Sequence, residues 1–160
     1  GPDRIVQAAN YNAPGQVVIS GDEEAVAEAV DRAEEFGARR AVPLSVSGAF
    51  HTPLMREARD RLARTLENID LSAPDCPVYL NVSAEPTTDP AEIKERLLEQ
   101  LTSPVRWSQI LRAMEGDGAD RYLEVGAGRV LCGLVRRTLG REAETETAGT
   151  AEDLRALTGA

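Results

Sequence analysis

The chain has 160 residues with 27 acidic and 18 basic side chains, so its net charge is −9. That length suits one ordinary domain, and that charge excludes a nucleic-acid backbone as an expected partner. There is neither an apolar run of about 18 residues nor a signal-peptide pattern, so we expect no membrane contact. Cys76 and Cys132 are the only cysteines. We expect two free thiols, no metal site and a reducing, cytoplasmic compartment.

The first 46 residues predict a β-β-α-β segment. Strands are expected at 5–10 and 16–20, joined by a Pro-Gly turn, and a third strand at 40–46. Asp22 is expected to cap the helix that follows the second strand. A ferredoxin-like sandwich needs one more β-α unit, which would lie upstream. Because the chain also begins with Gly-Pro and not Met, we interpret it as a fragment.

The remaining sequence predicts alternating helices and strands. The elements are a helix opening at Thr52, a strand at 77–82, helices opening at Asp89 and Trp107, a strand at 121–125 and a helix at 130–139. Such alternation predicts parallel pairing in an α/β sheet. With only two or three strands present, the missing ones are again expected upstream. Residues 140–150 are rich in Glu, Thr, Gly and Ala and predict a flexible segment, followed by at most one helical turn at 153–157.

His51 is the only histidine and therefore the only side chain whose ordinary titration range suits a general base at neutral pH. It lies in a loop of small residues between a predicted strand and a predicted helix. Loops after strands in α/β sheets commonly hold ligands. The alternative is a loop histidine that makes an ordinary hydrogen bond, and the residues alone leave both interpretations open.

A histidine base needs a nucleophile, and none is evident here. The usual signal on an α/β fold is Gly-x-Ser-x-Gly, and no serine of this chain has that frame. Ser20 lacks the first glycine, and Ser47 lacks the strand-turn-helix setting. We therefore expect the nucleophile to lie outside this chain.

Two further features are interpreted as structural. The Gly-Ala-Gly turn at 126–128 lacks the third glycine of a dinucleotide fingerprint, because position 131 is leucine, so a tight turn is favoured over a phosphate cradle. Arg136 and Arg137 are interpreted as part of a solvated helix face, with an acidic partner as the alternative.

Four sequence blocks, in the family's order, resemble those of malonyl-CoA:acyl-carrier-protein transacylases. They are N-Y-N-A-P-G-Q at 10–16, G-A-F-H-T-P-L-M at 48–55, Q-L-T-S-P-V-R-W at 100–107 and E-V-G-A-G-R-V-L at 124–131. Ala127 stands where that family usually has proline. The resemblance extends over nearly all of residues 4–139.

The resemblance implies an α/β-hydrolase-like acyltransferase core with a ferredoxin-like α+β subdomain inserted in it. Residues 3–46 would be the remainder of that subdomain and 47–139 the C-terminal part of the core. The composition of the remaining residues, 140–160, predicts a flexible tail.

The resemblance also implies a ping-pong transfer of malonyl from CoA, through a serine ester, to the phosphopantetheine thiol of acyl carrier protein, in fatty acid or polyketide synthesis. His51 matches the catalytic base, and Gln100 the residue whose backbone carbonyl orients it. Phe50 matches a position where a large side chain favours malonyl over methylmalonyl, because it leaves no room for an α-methyl branch. Asn10 and Asn12 match a segment that lines the cleft. Malonyl-CoA and the carrier protein are the implied partners, and the resemblance implies neither a metal nor a resident cofactor.

The family's serine turn, its carboxylate-binding arginine and its first-half oxyanion donors have no counterpart here. We therefore expect this chain alone to be inactive. Two alternatives stay open: a non-catalytic module that binds carrier protein, and a thioester hydrolase on the same fold. The sequence does not separate a stand-alone transacylase from a domain of a larger synthase.

Overall fold

The computed structural model describes residues 4–46 and 48–159, so Ser47 and the predicted boundary residues Asp3 and Ala160 lie outside it. The elements in chain order are β1 (Val6–Ala13), β2 (Gln16–Gly21), α1 (Glu23–Asp31), α2 (Arg56–Glu67), β3 (Val78–Tyr79), β4 (Pro86–Thr87), α3 (Pro90–Glu99), α4 (Trp107–Gly116), β5 (Arg121–Val125), α5 (Val130–Leu139), β6 (Glu144–Ala148) and α6 (Ala151–Thr158). Short 3-10 turns lie at Ala33–Phe36 and Pro53–Met55. None of the helices described has the length and apolar character needed to cross a membrane.

The predicted hairpin forms from β1 and β2, which pair antiparallel with Ala13 opposite Gln16. The loop between them is Pro14 and Gly15, and the φ of +71° at Gly15 is the conformation for which glycine is suited. Asp22 occupies the cap position of α1 but does not cap it. Its carboxylate instead accepts the backbone N–H of Ile5 at 2.6 Å, which ties the start of β1 to the end of the hairpin.

The prediction of a strand at residues 40–46 is wrong. This segment is exposed and irregular, and in the part of the chain that the structure describes no strand pairs with it. A strand needs a neighbouring edge for its backbone hydrogen bonds, and an apolar sequence alone does not supply one. Val46 is accordingly 67% exposed.

The second section contains a parallel β-α-β unit, in which β5 and β6 pair in register and α5 connects them. The prediction of a flexible tail is therefore wrong where β6 and α6 form, and the helical turn predicted at 153–157 is part of the longer helix α6. Threonine favours strands, and every second residue of the Glu-Thr-Glu-Thr run is threonine. Helix α6 is fixed by a reciprocal capping box between Thr150 and Asp153.

The strand predicted at 77–82 is reduced to Val78 and Tyr79, which pair antiparallel with β4. The chain reverses too soon for a longer strand. Ala84, with a φ of +63°, donates its N–H to the carbonyl of Leu80, whose own N–H is bound by Glu85. This tight turn uses the backbone groups that an extended strand would have offered to a parallel neighbour.

The core lies where α4 packs against β1 and α5. Ile110 and Leu111 on α4 are each only 1% exposed, with Ala9 and Val135 buried on the neighbouring elements. The first turn of α5 is held by Glu124, whose carboxylate accepts the N–H of Cys132 at 2.9 Å. That hydrogen bond lowers the pKa of Glu124.

Arg137 lies on an exposed helix face, as predicted, and it also has a specific structural role. Its guanidinium donates to the carbonyls of Pro14 and Gly15 at 3.2 and 3.4 Å and to the side-chain oxygen of Gln16 at 2.9 Å. A planar guanidinium suits several acceptors in one turn. Arg137 therefore fastens the β1–β2 turn to α5.

Candidate active site

The site is built on the loop that precedes α2. Thr52, at the cap of the 3-10 turn, is completely buried. Its hydroxyl donates to the carbonyl of Ala49 at 2.7 Å and accepts the N–H of Leu54 at 3.2 Å. Threonine is a favoured cap because its oxygen satisfies a helix-end donor. Thr52 thus fixes the loop on both sides of His51.

The backbone of His51 adopts an uncommon conformation. Its φ is +62°, a region that costs a non-glycine residue about 1–3 kcal/mol and that occurs often at functional sites. Both backbone groups are held: the N–H donates to the carbonyl of Leu101 at 3.1 Å, and the carbonyl accepts the side-chain N–H of Gln7 at 2.7 Å. The surrounding chain therefore maintains the strained conformation.

The ring of His51 is partly buried, and its Nδ1 lies 2.8 Å from the backbone carbonyl oxygen of Gln100. A carbonyl oxygen only accepts hydrogen bonds, so Nδ1 must carry the proton in the neutral ring. The other nitrogen, Nε2, then has a lone pair. This is the arrangement in which a histidine can accept a proton from a nucleophile while its second nitrogen is oriented.

Gln100 is positioned as the C-cap of α3. The last carbonyls of a helix lack partners within it and carry partial negative charge, so this end of α3 favours a positive charge developing on the ring. The Gln100 side chain is fixed as well: its oxygen accepts the Asn81 amide at 2.7 Å. Asn81 in turn accepts the N–H of Arg106 through its backbone carbonyl.

The other predicted site residues differ in how close the structure places them to His51. Phe50 directly precedes His51, is 47% exposed and lies over Gly48, where an added Cβ would be 3.0 Å from the ring. Asn10 forms a parallel bridge with Val105, close along the chain to Leu101. Asn12 lies at an irregularity of β1 beside the hairpin turn, and its place in the cleft stays a prediction.

The sequence correctly predicted Thr52 as the start of the helical segment, but it gave no indication of Gln7, which holds the His51 carbonyl, or of Asn81, which holds the Gln100 side chain. The partners of Gln7 and Asn81 lie 44 and 19 residues away, so no local pattern identifies them. At 126–128, φ values of +133° and +102° at Gly126 and Gly128 fit the predicted tight turn.

Among residues 4–46 and 48–159, no group of three or more His, Cys, Asp or Glu side chains is arranged to hold a metal ion. Cys76 is exposed, Cys132 is buried, and both are free thiols.

Comparison with known proteins places these features in a family. A model described as the acyl transferase domain matches residues 1–156. The malonyl CoA-acyl carrier protein transacylase of Bacillus subtilis is 47% identical over 133 residues, which are 83% of this chain and 42% of that protein. The chain therefore spans about half the length of the curated relatives it matches.

Solved structures agree with this family assignment. An acyl carrier protein S-malonyltransferase from Vibrio cholerae superposes with a TM-score of 0.90 at 41% identity, covering 97% of this chain and 50% of that one. A malonyl-transacylase solved in complex with its type II PKS acyl-carrier protein superposes with a TM-score of 0.88 at 39% identity, covering 98% and 51%. These matches confirm the predicted α/β acyltransferase fold class.

Proposed function

Because the chain belongs to the acyl transferase domain family, we propose that it is the part of a malonyl-CoA:acyl-carrier-protein transacylase that supplies the general base. The observation that supports this most directly is the Nδ1 hydrogen bond of His51 to the Gln100 carbonyl at 2.8 Å. That bond leaves Nε2 free to accept a proton, and the base is expected to act on a serine hydroxyl from the other part of the domain.

The reaction that this arrangement serves has two halves. His51 Nε2 takes the serine proton while the oxygen attacks the malonyl thioester, and the imidazolium then returns that proton to the departing CoA thiolate. In the second half the phosphopantetheine thiol of acyl carrier protein gives its proton to Nε2 and attacks the ester. Breakdown of this second intermediate returns the proton to the serine. The Gln100 carbonyl stabilises the ring while it is charged.

A second polypeptide segment is needed because this chain holds no Gly-x-Ser-x-Gly frame and because much apolar surface is uncovered. Leu44 and Val46 in the irregular segment before the site are 58% and 67% exposed, and Val125 and Val130, flanking the glycine turn, are 63% and 71% exposed. Large exposed apolar patches mark interaction surfaces. We propose that the remainder of the domain covers them and that the chain alone does not turn over.

The proposal extends to partners and organisation. Malonyl-CoA and acyl carrier protein are the proposed partners, and the CoA thioester and the phosphopantetheine thiol are substrates, with no resident cofactor or metal. The pathway would be fatty acid or polyketide synthesis. Two free thiols support a cytoplasmic location. Residues up to 46 would belong to the ferredoxin-like subdomain, and residues from 47 to 139 to the core.

A complementation assay tests the proposal. The part of the Bacillus subtilis transacylase that this chain does not match is co-expressed with residues 1–160, and transfer of radiolabelled malonyl from CoA to carrier protein is measured. We expect transfer only when both parts are present, and its loss with His51→Gln. The matched control is Gln109→Met on the exposed side of α4, which should leave transfer unchanged.

The same assay separates the alternatives. A carrier-protein-binding module would bind carrier protein equally well with His51→Ala and would give no transfer. A thioester hydrolase would release free malonate and leave the carrier protein unloaded. Clear turnover by residues 1–160 alone, dependent on His51, would contradict the proposed division of the site.

A further inference from the structure

We propose that Gln7 is a positioning residue for the histidine base: its side-chain amide holds the carbonyl of His51 and so keeps the ring on the Gln100 carbonyl. The inference rests on the proposed role of His51 as the base. Gln7 touches no reacting atom in this arrangement. It acts through the backbone of His51, from a strand 44 residues earlier in the chain.

The backbone conformation of His51 makes the Gln7 contact important. Loss of the Gln7 donor would leave only the N–H of His51 held, by the Leu101 carbonyl. With φ at +62°, the residue would then relax toward an ordinary conformation. The following residue does not move with it, because the Thr52 side chain is completely buried and bound at Ala49 and Leu54. The relaxation would therefore be a rotation of the backbone about the Cα of His51. That rotation would turn the ring away from the Gln100 carbonyl.

Gln7 is itself well fixed. It pairs with Ser20 in the β1–β2 ladder, and two residues before it the carboxylate of Asp22 holds Ile5 at 2.6 Å. At 2.7 Å the bond from its amide to the His51 carbonyl has the length of a strong hydrogen bond. The hairpin therefore contributes directly to the geometry of the base, in addition to any contact with substrate.

The competing interpretation is that Gln7 merely attaches the hairpin to the loop and that the ring is held by Gln100 alone. The two interpretations differ in one observable, which is the protonation state of the ring nitrogens in the neutral form. A positioning role predicts that loss of the Gln7 donor changes the proportion of rings protonated on Nδ1. Simple attachment predicts a change in stability with the same ring tautomer.

The test uses the unique histidine of the 160-residue chain. Long-range ¹H–¹⁵N spectra of ¹⁵N-histidine-labelled chain, recorded where the ring is neutral, report which nitrogen carries the proton. Gln7→Met removes the donor with a side chain of similar length, and Gln7→Lys restores a donor at about the same reach. Gln109→Met is the matched control at an exposed glutamine.

In the wild type and in Gln109→Met we expect the ring protonated on Nδ1. In Gln7→Met we expect the ratio of Nδ1-protonated to Nε2-protonated rings to fall about fivefold or more, the effect of losing one ordinary hydrogen bond, and Gln7→Lys should restore it. An unchanged ratio in Gln7→Met overturns the proposal. So does loss of the folded spectrum in both Gln7 variants, because Gln7 would then be structural.

This readout is independent of turnover. If the tautomer ratio responds to Gln7 as expected while the complemented protein transfers no malonyl, the proposed function fails and the positioning role stands. If transfer depends on His51 while the tautomer ratio is the same in Gln7→Met as in the wild type, the positioning role alone is overturned.

Discussion

Replacing Thr52 with valine tests how much the buried hydroxyl contributes to holding the site. Valine keeps the shape of the side chain but removes the hydrogen bonds to the Ala49 carbonyl and the Leu54 N–H. Loss of a helix cap costs about 0.5–2 kcal/mol, and a buried polar group left without a partner costs about 1–3 kcal/mol. Because Leu54 is 44% exposed, we expect water to solvate its N–H, which limits the total loss to about 2 kcal/mol.

The measurement is urea unfolding of the 160-residue chain. A loss of about 2 kcal/mol lowers the midpoint by about 1 M at a typical urea dependence for a small protein. Thr52→Ser keeps both hydrogen bonds and loses one methyl group, which is worth about 0.8 kcal/mol. Thr65→Val on the exposed face of α2 should stay within about 0.5 kcal/mol of wild type. A midpoint for Thr52→Val no lower than that of Thr52→Ser would refute the reasoning.

Three further predictions follow from individual side chains. Phe50→Ser should lower the preference for malonyl-CoA over methylmalonyl-CoA about tenfold or more in the complemented protein, because one methyl group is worth about 1–3 kcal/mol; competition between the two substrates measures it. The Glu124 carboxylate has a lowered pKa in the folded chain, so it stabilises the fold above its ordinary titration range and loses that contribution as pH falls through the lowered value. The gap in urea midpoint between wild type and Glu124→Gln should therefore be present at pH 7 and should close below about pH 4. Gly133→Ala, in open space within α5, should raise stability by about 0.5–1 kcal/mol, measured by the same unfolding.

The helices and the first hairpin were predictable because their signals are local. Apolar spacing and start signals locate α2, α4 and α5, and a Pro-Gly pair locates the turn between β1 and β2. The sequence could not show that residues 40–46 fail to form a strand. An apolar segment becomes a strand only where a neighbouring strand edge is available to pair with it. The strand β6 was overlooked since its Glu-Thr alternation was interpreted as polar composition and not as a two-residue period.

The residues proposed to carry the chemistry were easier to select from the sequence than the geometry that holds them. His51 and Gln100 stood out by family resemblance, and the structure joins them through the 2.8 Å bond. The strained backbone of His51, and the support from Gln7 and Asn81, depend on contacts between distant segments. Such contacts are set by the packing of the hairpin and of α3 around the loop, which one sequence does not reveal.

The central claim is that the His51 ring faces a serine hydroxyl supplied by polypeptide outside this chain. A crystal structure of residues 1–160 bound to the unmatched part of the Bacillus subtilis transacylase tests it most directly. The account predicts that His51 Nε2 lies within about 2.6–3.2 Å of that hydroxyl while Nδ1 keeps its bond to the Gln100 carbonyl. A ring turned away from the serine, or an Nδ1 released from Gln100, would contradict it.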